Sequence, residues 1–106
     1  MKTLKFKSYL VEPILNKTKT ATWRLFDDKN LSEGDKLEFI NSDTMEKFAI
    51  ATITAAAEKP FCELTDEDWA GHEKYNSDNE MYEAFSKFYN KKVDKNTPVK
   101  IISFVL

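Results

Sequence analysis

Apolar and polar positions along the chain change period several times, and each change predicts an element. Leu4-Lys5-Phe6-Lys7 alternates with period two, which predicts a short strand. Tyr9 to Asn16 predicts a short helix with Leu10, Val11 and Ile14 inward, and Pro13 suits it only in the first turn. Lys19 to Leu25, rich in β-branched and aromatic residues, predicts a second strand. Ser32-Glu33-Gly34-Asp35 is a turn, and alternation resumes over Lys36 to Ile40. After a further turn at Asn41-Ser42-Asp43-Thr44, a long strand runs from Phe48 to Ala57 and should pair with its predecessor as an antiparallel hairpin. Thr65 to Asp68 fits a capping box opening a short helix through Trp69. Ser77 to Glu80 fits another, opening a helix over Asp78 to Asn90 whose Met81, Tyr82, Phe85, Phe88 and Tyr89 should share one apolar face. Val99 to Leu106 predicts a buried final strand.

This order predicts an α+β fold, a small barrel of five or six mostly antiparallel strands with flanking helices. Residues 1–106 read as a single domain, because no repeat, linker or low-complexity stretch interrupts them. Apolar residues make up 42% of the chain and charged residues 32%, a balance that favours folding over disorder. The single cysteine, Cys62, cannot form an internal disulfide; beside Phe61 it is expected to be a small buried hydrophobe. No apolar run approaches the ~20 residues of a membrane span, and the charged N-terminus does not read as a secretory leader. A cytoplasmic protein without membrane partners is the expectation.

The net charge of −2 hides an asymmetry. Residues 1–24 carry six basic side chains against Glu12, whereas residues 62–83 carry eight acidic ones against Lys74. The favoured reading is that the two segments attract each other or are solvated faces, the alternative that the first forms a basic lip for phosphate; the overall balance excludes a bulk nucleic-acid coat.

Candidate chemistry concentrates in Lys17-Thr18-Lys19-Thr20-Ala21-Thr22-Trp23-Arg24, where threonines and cations meet at a helix–strand junction. The same composition also suits an ordinary exposed edge strand. In a regular strand Thr20, Thr22 and Arg24 share one face and Lys19 and Trp23 the other. Lys19 and Thr22 therefore meet only if Lys19 precedes the strand or a bulge intervenes. Trp23 and Trp69 are candidates for stacking on a base, although core or rim positions are the commoner use of tryptophan. His72, the only histidine, excludes a multi-histidine metal site; a structural or surface role is favoured over a triad built on it, which stays open. Asp27-Asp28 reads as a turn with exposed carboxylates rather than a cation site. No spacing supports a bound metal, and no cofactor is expected.

The run Ile14-Leu15-Asn16-Lys17-Thr18-Lys19-Thr20-Ala21-Thr22-Trp23-Arg24 resembles the motif of the ASCH domain family, within the PUA-like superfamily. Gly34-Asp35 before a strand, then Phe61, Glu63-Leu64-Thr65-Asp66-Glu67-Asp68 and Gly71-His72-Glu73, follow in the family's order, so the resemblance covers nearly the whole chain. Lys17 stands where the family usually has glycine, and Asn16 is the residue expected to take the left-handed turn instead. The resemblance implies a PUA-like β-barrel with a cleft for RNA or a nucleoside. Some small members are amidohydrolases that remove acetyl from N4-acetylcytidine; by motif their catalytic lysine, threonine and glutamate fall on Lys19, Thr22 and Glu73. Chemically, Thr22 is then the nucleophile, Lys19 the base, and Glu73 a proton shuttle to the leaving amine. Thr20, Trp23 and Arg24 are the expected substrate-binding residues. The partners implied are a nucleoside or other small substrate, and RNA, taken up by a monomer. A noncatalytic RNA-binding module and a ribonuclease are the alternatives.

Overall fold

The structure, a computed structural model, describes residues 1–27 and 29–106. Strand β1 (Lys2–Phe6) leads through Lys7 into helix α1 (Ser8–Leu15), followed by β2 (Ala21–Arg24), β3 (Lys36–Asn41) and β4 (Lys47–Pro60). A single 3-10 turn, Phe61–Glu63, precedes the short helix α2 (Asp66–Trp69), helix α3 (Asp78–Tyr89) and β5 (Pro98–Val105). Among the described residues these five strands form one sheet in the order β1–β3–β4–β5–β2, curled into a half-barrel. The predicted hairpin is β3–β4, and only β1–β3 is parallel. The fold class is therefore the expected α+β, PUA-like barrel.

Alternation along β5 separates two apolar clusters. Ile102 and Phe104 join Leu4, Phe6, Leu37, Phe39 and Ile53 inside the curl, where Ile14 of α1 closes the core. Val99 and Ile101 face the other way, with Trp23, Phe61 and α3 residues Met81 and Phe85. Both N-caps predicted for the later helices are present. Thr65 and Asp68 form the reciprocal box, and the Ser77 hydroxyl accepts from the Glu80 N–H at 3.2 Å.

Several local expectations are corrected. Pro13 lies in the second turn of α1, and the helix ends two residues later. The second strand begins at Ala21, not Lys19, because the Lys19 N–H donates to the Pro13 carbonyl and the Thr20 N–H to the Gly71 carbonyl instead of to a neighbouring strand. Phe88 leaves the buried face of α3 and is 60% exposed, since a cavity rather than the sheet lies beside it. Cys62 is exposed within the 3-10 turn, where Phe61 takes the inward position. Asp27 is not a bare turn carboxylate: its side chain is enclosed and bound by Lys100 at 2.7 Å. The other half of that pair, Asp28, lies outside the described residues. No helix among the described residues is long and apolar enough to cross a membrane.

Candidate functional site

The site begins where α1 ends. Asn16 caps the helix with φ −87°, and Lys17 takes the left-handed conformation, with φ 69°. The expected exchange of roles is therefore reversed: Lys17 itself makes the turn. Asn16 supports it by accepting, through its side-chain oxygen, from the backbone N–H and the hydroxyl of Thr18. A lysine in this conformation costs about 1 kcal/mol relative to glycine. The turn brings the Lys19 N–H onto the Pro13 carbonyl at 3.0 Å and leaves Lys19 just ahead of β2. Freed from strand alternation, its side chain reaches the same cavity as Thr22 and Arg24.

Glu73 arrives from the distant segment after α2. Gly71, at φ 73°, lies so close to Thr20 that a Cβ there would collide with the Thr20 hydroxyl. Its carbonyl accepts from both Thr20 and Ala21, at 2.9 and 3.2 Å. This clasp sets Glu73 Oε2 at 2.6 Å from Lys19 Nζ, which also donates to the Ala21 carbonyl at 2.8 Å. The Lys19 side chain is 4% exposed and that of Glu73 37%. One contact therefore joins the basic and acidic segments.

Burial holds the Lys19 amine below its ordinary pKa, partly opposed by the Glu73 charge. Burial pushes the Glu73 carboxyl up, but His72 and the Lys19 ammonium outweigh it, so Glu73 stays below the usual carboxylate range. His72, expected to be structural or surface, is buried in the wall of the cavity. Its ring stacks on Trp23 with centroids 4.0 Å apart, and burial, aided by the Lys19 charge, lowers its pKa to about 4. Tyr75 also lines the cavity; burial, then Glu73 and Tyr9, push its phenol up to about 12.

The cavity, about 280 Å³, opens in the seam between edge strands β1 and β2. Arg24 spans that seam, donating from Nη2 to the Lys5 carbonyl at 3.0 Å and lying over the Phe6 ring at 4.8 Å. Its Nε is buried with no partner among the described residues. Of the six residues singled out in the sequence, Lys19, Thr22, Trp23, Arg24 and Glu73 line this cavity. Thr20 is not among the lining residues: its side chain is turned onto Gly71. Trp23 is 3% exposed and packed among His72, Trp69 and Phe61, so it is a wall rather than an open platform for a base. The mouth carries the exposed rings of Tyr9 and Phe88 with Lys5 and Lys7. Sequence reasoning missed this rim and the placing of His72 in the cavity wall, for which the one signal was a lone histidine beside the candidate glutamate. Among the described residues no group of three or more histidine, cysteine or acidic side chains is placed to hold a metal.

The arrangement can transfer protons between a buried amine and a carboxylate, in a cavity that Thr22 also lines. Against known proteins, no family model matches the chain and no curated protein matches it. Solved structures do. A protein of Enterococcus faecalis described by family model DUF984 aligns with a TM-score of 0.76 at 14% identity, over 91% of this chain and 68% of its own. The ASCH domain of Lactobacillus crispatus gives 0.70 at 14% identity, over 97% and 78%. ASCH from Zymomonas mobilis gives 0.70 at 7% identity, over 98% and 66%. The chain thus has an ASCH-like fold.

Proposed function

We propose that the chain is an amidohydrolase acting on an N-acylated nucleoside such as N4-acetylcytidine, releasing cytidine and acetate. The observation that carries this reading is the buried Lys19 amine, 2.6 Å from the partly exposed Glu73 carboxylate in a cavity they share with Thr22. A lysine that only attracted phosphate would gain nothing from burial, which costs solvation. A buried amine with lowered pKa suits proton transfer. The cavity's volume, near the lower end for ligand sites, suits one nucleoside rather than an oligonucleotide.

The chemistry follows from the residues. Lys19 passes a proton to Glu73 along their hydrogen bond and becomes a neutral amine. Thr22 Oγ1 attacks the acetyl carbonyl carbon while its proton moves to Lys19 Nζ. The Arg24 guanidinium stabilises the oxyanion. The C–N bond breaks as the leaving N4 takes the proton from Glu73, which returns to carboxylate. Lys19 again passes a proton to Glu73; water attacks the acyl-threonine carbonyl while its proton moves to Lys19 Nζ, the C–O bond to Thr22 breaks as Oγ1 takes the proton from Glu73, and acetic acid leaves and ionises to acetate in solvent.

The mouth supports a second reading, a noncatalytic RNA-binding module, because exposed Lys5 and Lys7 stand beside exposed Tyr9 and Phe88. Such binding would weaken steeply with salt. Incubation with N4-acetylcytidine separates the two: the amidohydrolase releases cytidine and acetate, and the binding module releases neither.

A further inference from the structure

Glu73 is the more exposed member of its ion pair and sits on a short irregular segment, so something must hold it against Lys19. The adjacent side chain is the candidate. His72 Nδ1 lies 2.7 Å from the Glu73 backbone carbonyl and 3.7 Å from Glu73 Oε2. A carbonyl oxygen can only accept, so Nδ1 must carry the hydrogen. The ring is fixed on its other sides as well. It stacks on Trp23 with an interplanar angle of 16°, meets Trp69 edge-on at 6.2 Å, and its backbone N–H donates to the Trp69 carbonyl at 3.1 Å. Its side chain is 3% exposed.

We propose that His72 is a positioning residue for the Lys19–Glu73 pair, its imidazole carrying the proton on Nδ1 and clasping the Glu73 backbone while its face rests on Trp23. The role deepens the amidohydrolase reading and rests on it for its catalytic consequence, though not for its geometry. The charged groups acting on the ring are Lys19, Glu73 and Arg24. A second ring proton would add a third cation there and compete with Lys19 for Glu73. The single-proton form is therefore the one compatible with the ion pair, and Nε2 is left bare.

Because His72 is the only histidine, its ring nitrogens can be read without ambiguity in the intact, ¹⁵N-labelled protein. Two-bond proton–nitrogen correlation at pH 7 should show a protonated Nδ1 and an unprotonated Nε2, the reverse of the form usual in water. An Nε2–H signal would overturn the proposal, and no variant is needed to obtain it. Two substitutions then read the consequence. His72→Asn keeps a donor near Nδ1; His72→Phe keeps the ring on Trp23 and removes the donor. With N4-acetylcytidine, H72F should lose tenfold or more in kcat at similar KM, and H72N should retain most of it. In parallel the Glu73 carboxyl, followed by ¹³C shift, should titrate higher in H72F than in the wild type. Unchanged kcat and unchanged Glu73 titration in folded H72F would overturn the proposal. A wild-type protein with the Nδ1–H form that hydrolyses nothing would count against the amidohydrolase and leave the positioning role supported.

Discussion

Replacing Glu73 with glutamine removes the charge that neutralises Lys19 and keeps the shape of the side chain. In the variant an ammonium whose side chain is 4% exposed keeps the Ala21 carbonyl as its strong acceptor. Breaking a fully buried ion pair from one side costs roughly 3–5 kcal/mol, whereas an exposed pair is worth at most about 1. The Glu73 side chain is 37% exposed, so water screens part of the interaction, and about 2 kcal/mol is the expected loss. For a domain of 106 residues this lowers the melting midpoint by roughly 10 °C. The pH dependence carries its own sign. Burial already holds the Lys19 pKa below 10.5, and Glu73 opposes that shift. Between the folded value and 10.5 the unfolded chain binds one proton more than the folded chain, so stability rises with pH across this window. Without Glu73 the window extends to lower pH, and the deficit of Glu73→Gln should shrink as pH is raised from 7 to 10. Thermal melts of both proteins over that range test this. Equal midpoints at pH 7, or a deficit independent of pH, would show that Lys19 does not depend on Glu73.

Other expectations follow from single contacts. Lys19→Arg should abolish hydrolysis, because a guanidinium cannot act as base, whereas Thr22→Ser should keep part of the activity and Thr22→Ala lose it; full activity of Thr22→Ala would require an activated water as nucleophile. Lys17→Gly should stabilise the fold by about 0.5–1 kcal/mol by relieving the left-handed turn, read as a raised denaturant midpoint. Phe85→Ala should cost roughly 3–5 kcal/mol in the same assay, since Phe85 packs against Trp23, Phe61 and Tyr89. His72 titrates at about 4 in the fold and 6.5 unfolded, so stability should fall as pH drops from 6.5 toward 4, and this slope should flatten in His72→Asn.

Legibility in the sequence followed the range of the interactions concerned. The β3–β4 hairpin and the caps at Thr65 and Ser77 rest on alternation and on hydrogen bonds spanning a few residues, and they were readable. The inward positions of Met81 and Phe85 were readable for the same reason, while Phe88 was not, because its exposure depends on a cavity formed by other elements. Lys19 and Thr22 were legible as a motif, but their sharing of one cavity was not. It depends on a left-handed lysine at position 17 and on the docking of Gly71 against Thr20, a contact between segments about fifty residues apart. The same docking turned Thr20 away from the cavity and brought His72 into its wall. Core or rim was the favoured reading of Trp23 over a stacking platform, and its neighbours Phe61, Trp69 and Phe85 show it buried.

The central claim is tested most directly by following free cytidine and acetate when the intact protein is incubated with N4-acetylcytidine, alongside a folded Lys19→Ala variant. The account predicts equimolar release of both products by the wild type and release at the uncatalysed rate with the variant. Wild-type release no faster than in protein-free buffer, or equal release by the two proteins, would contradict it.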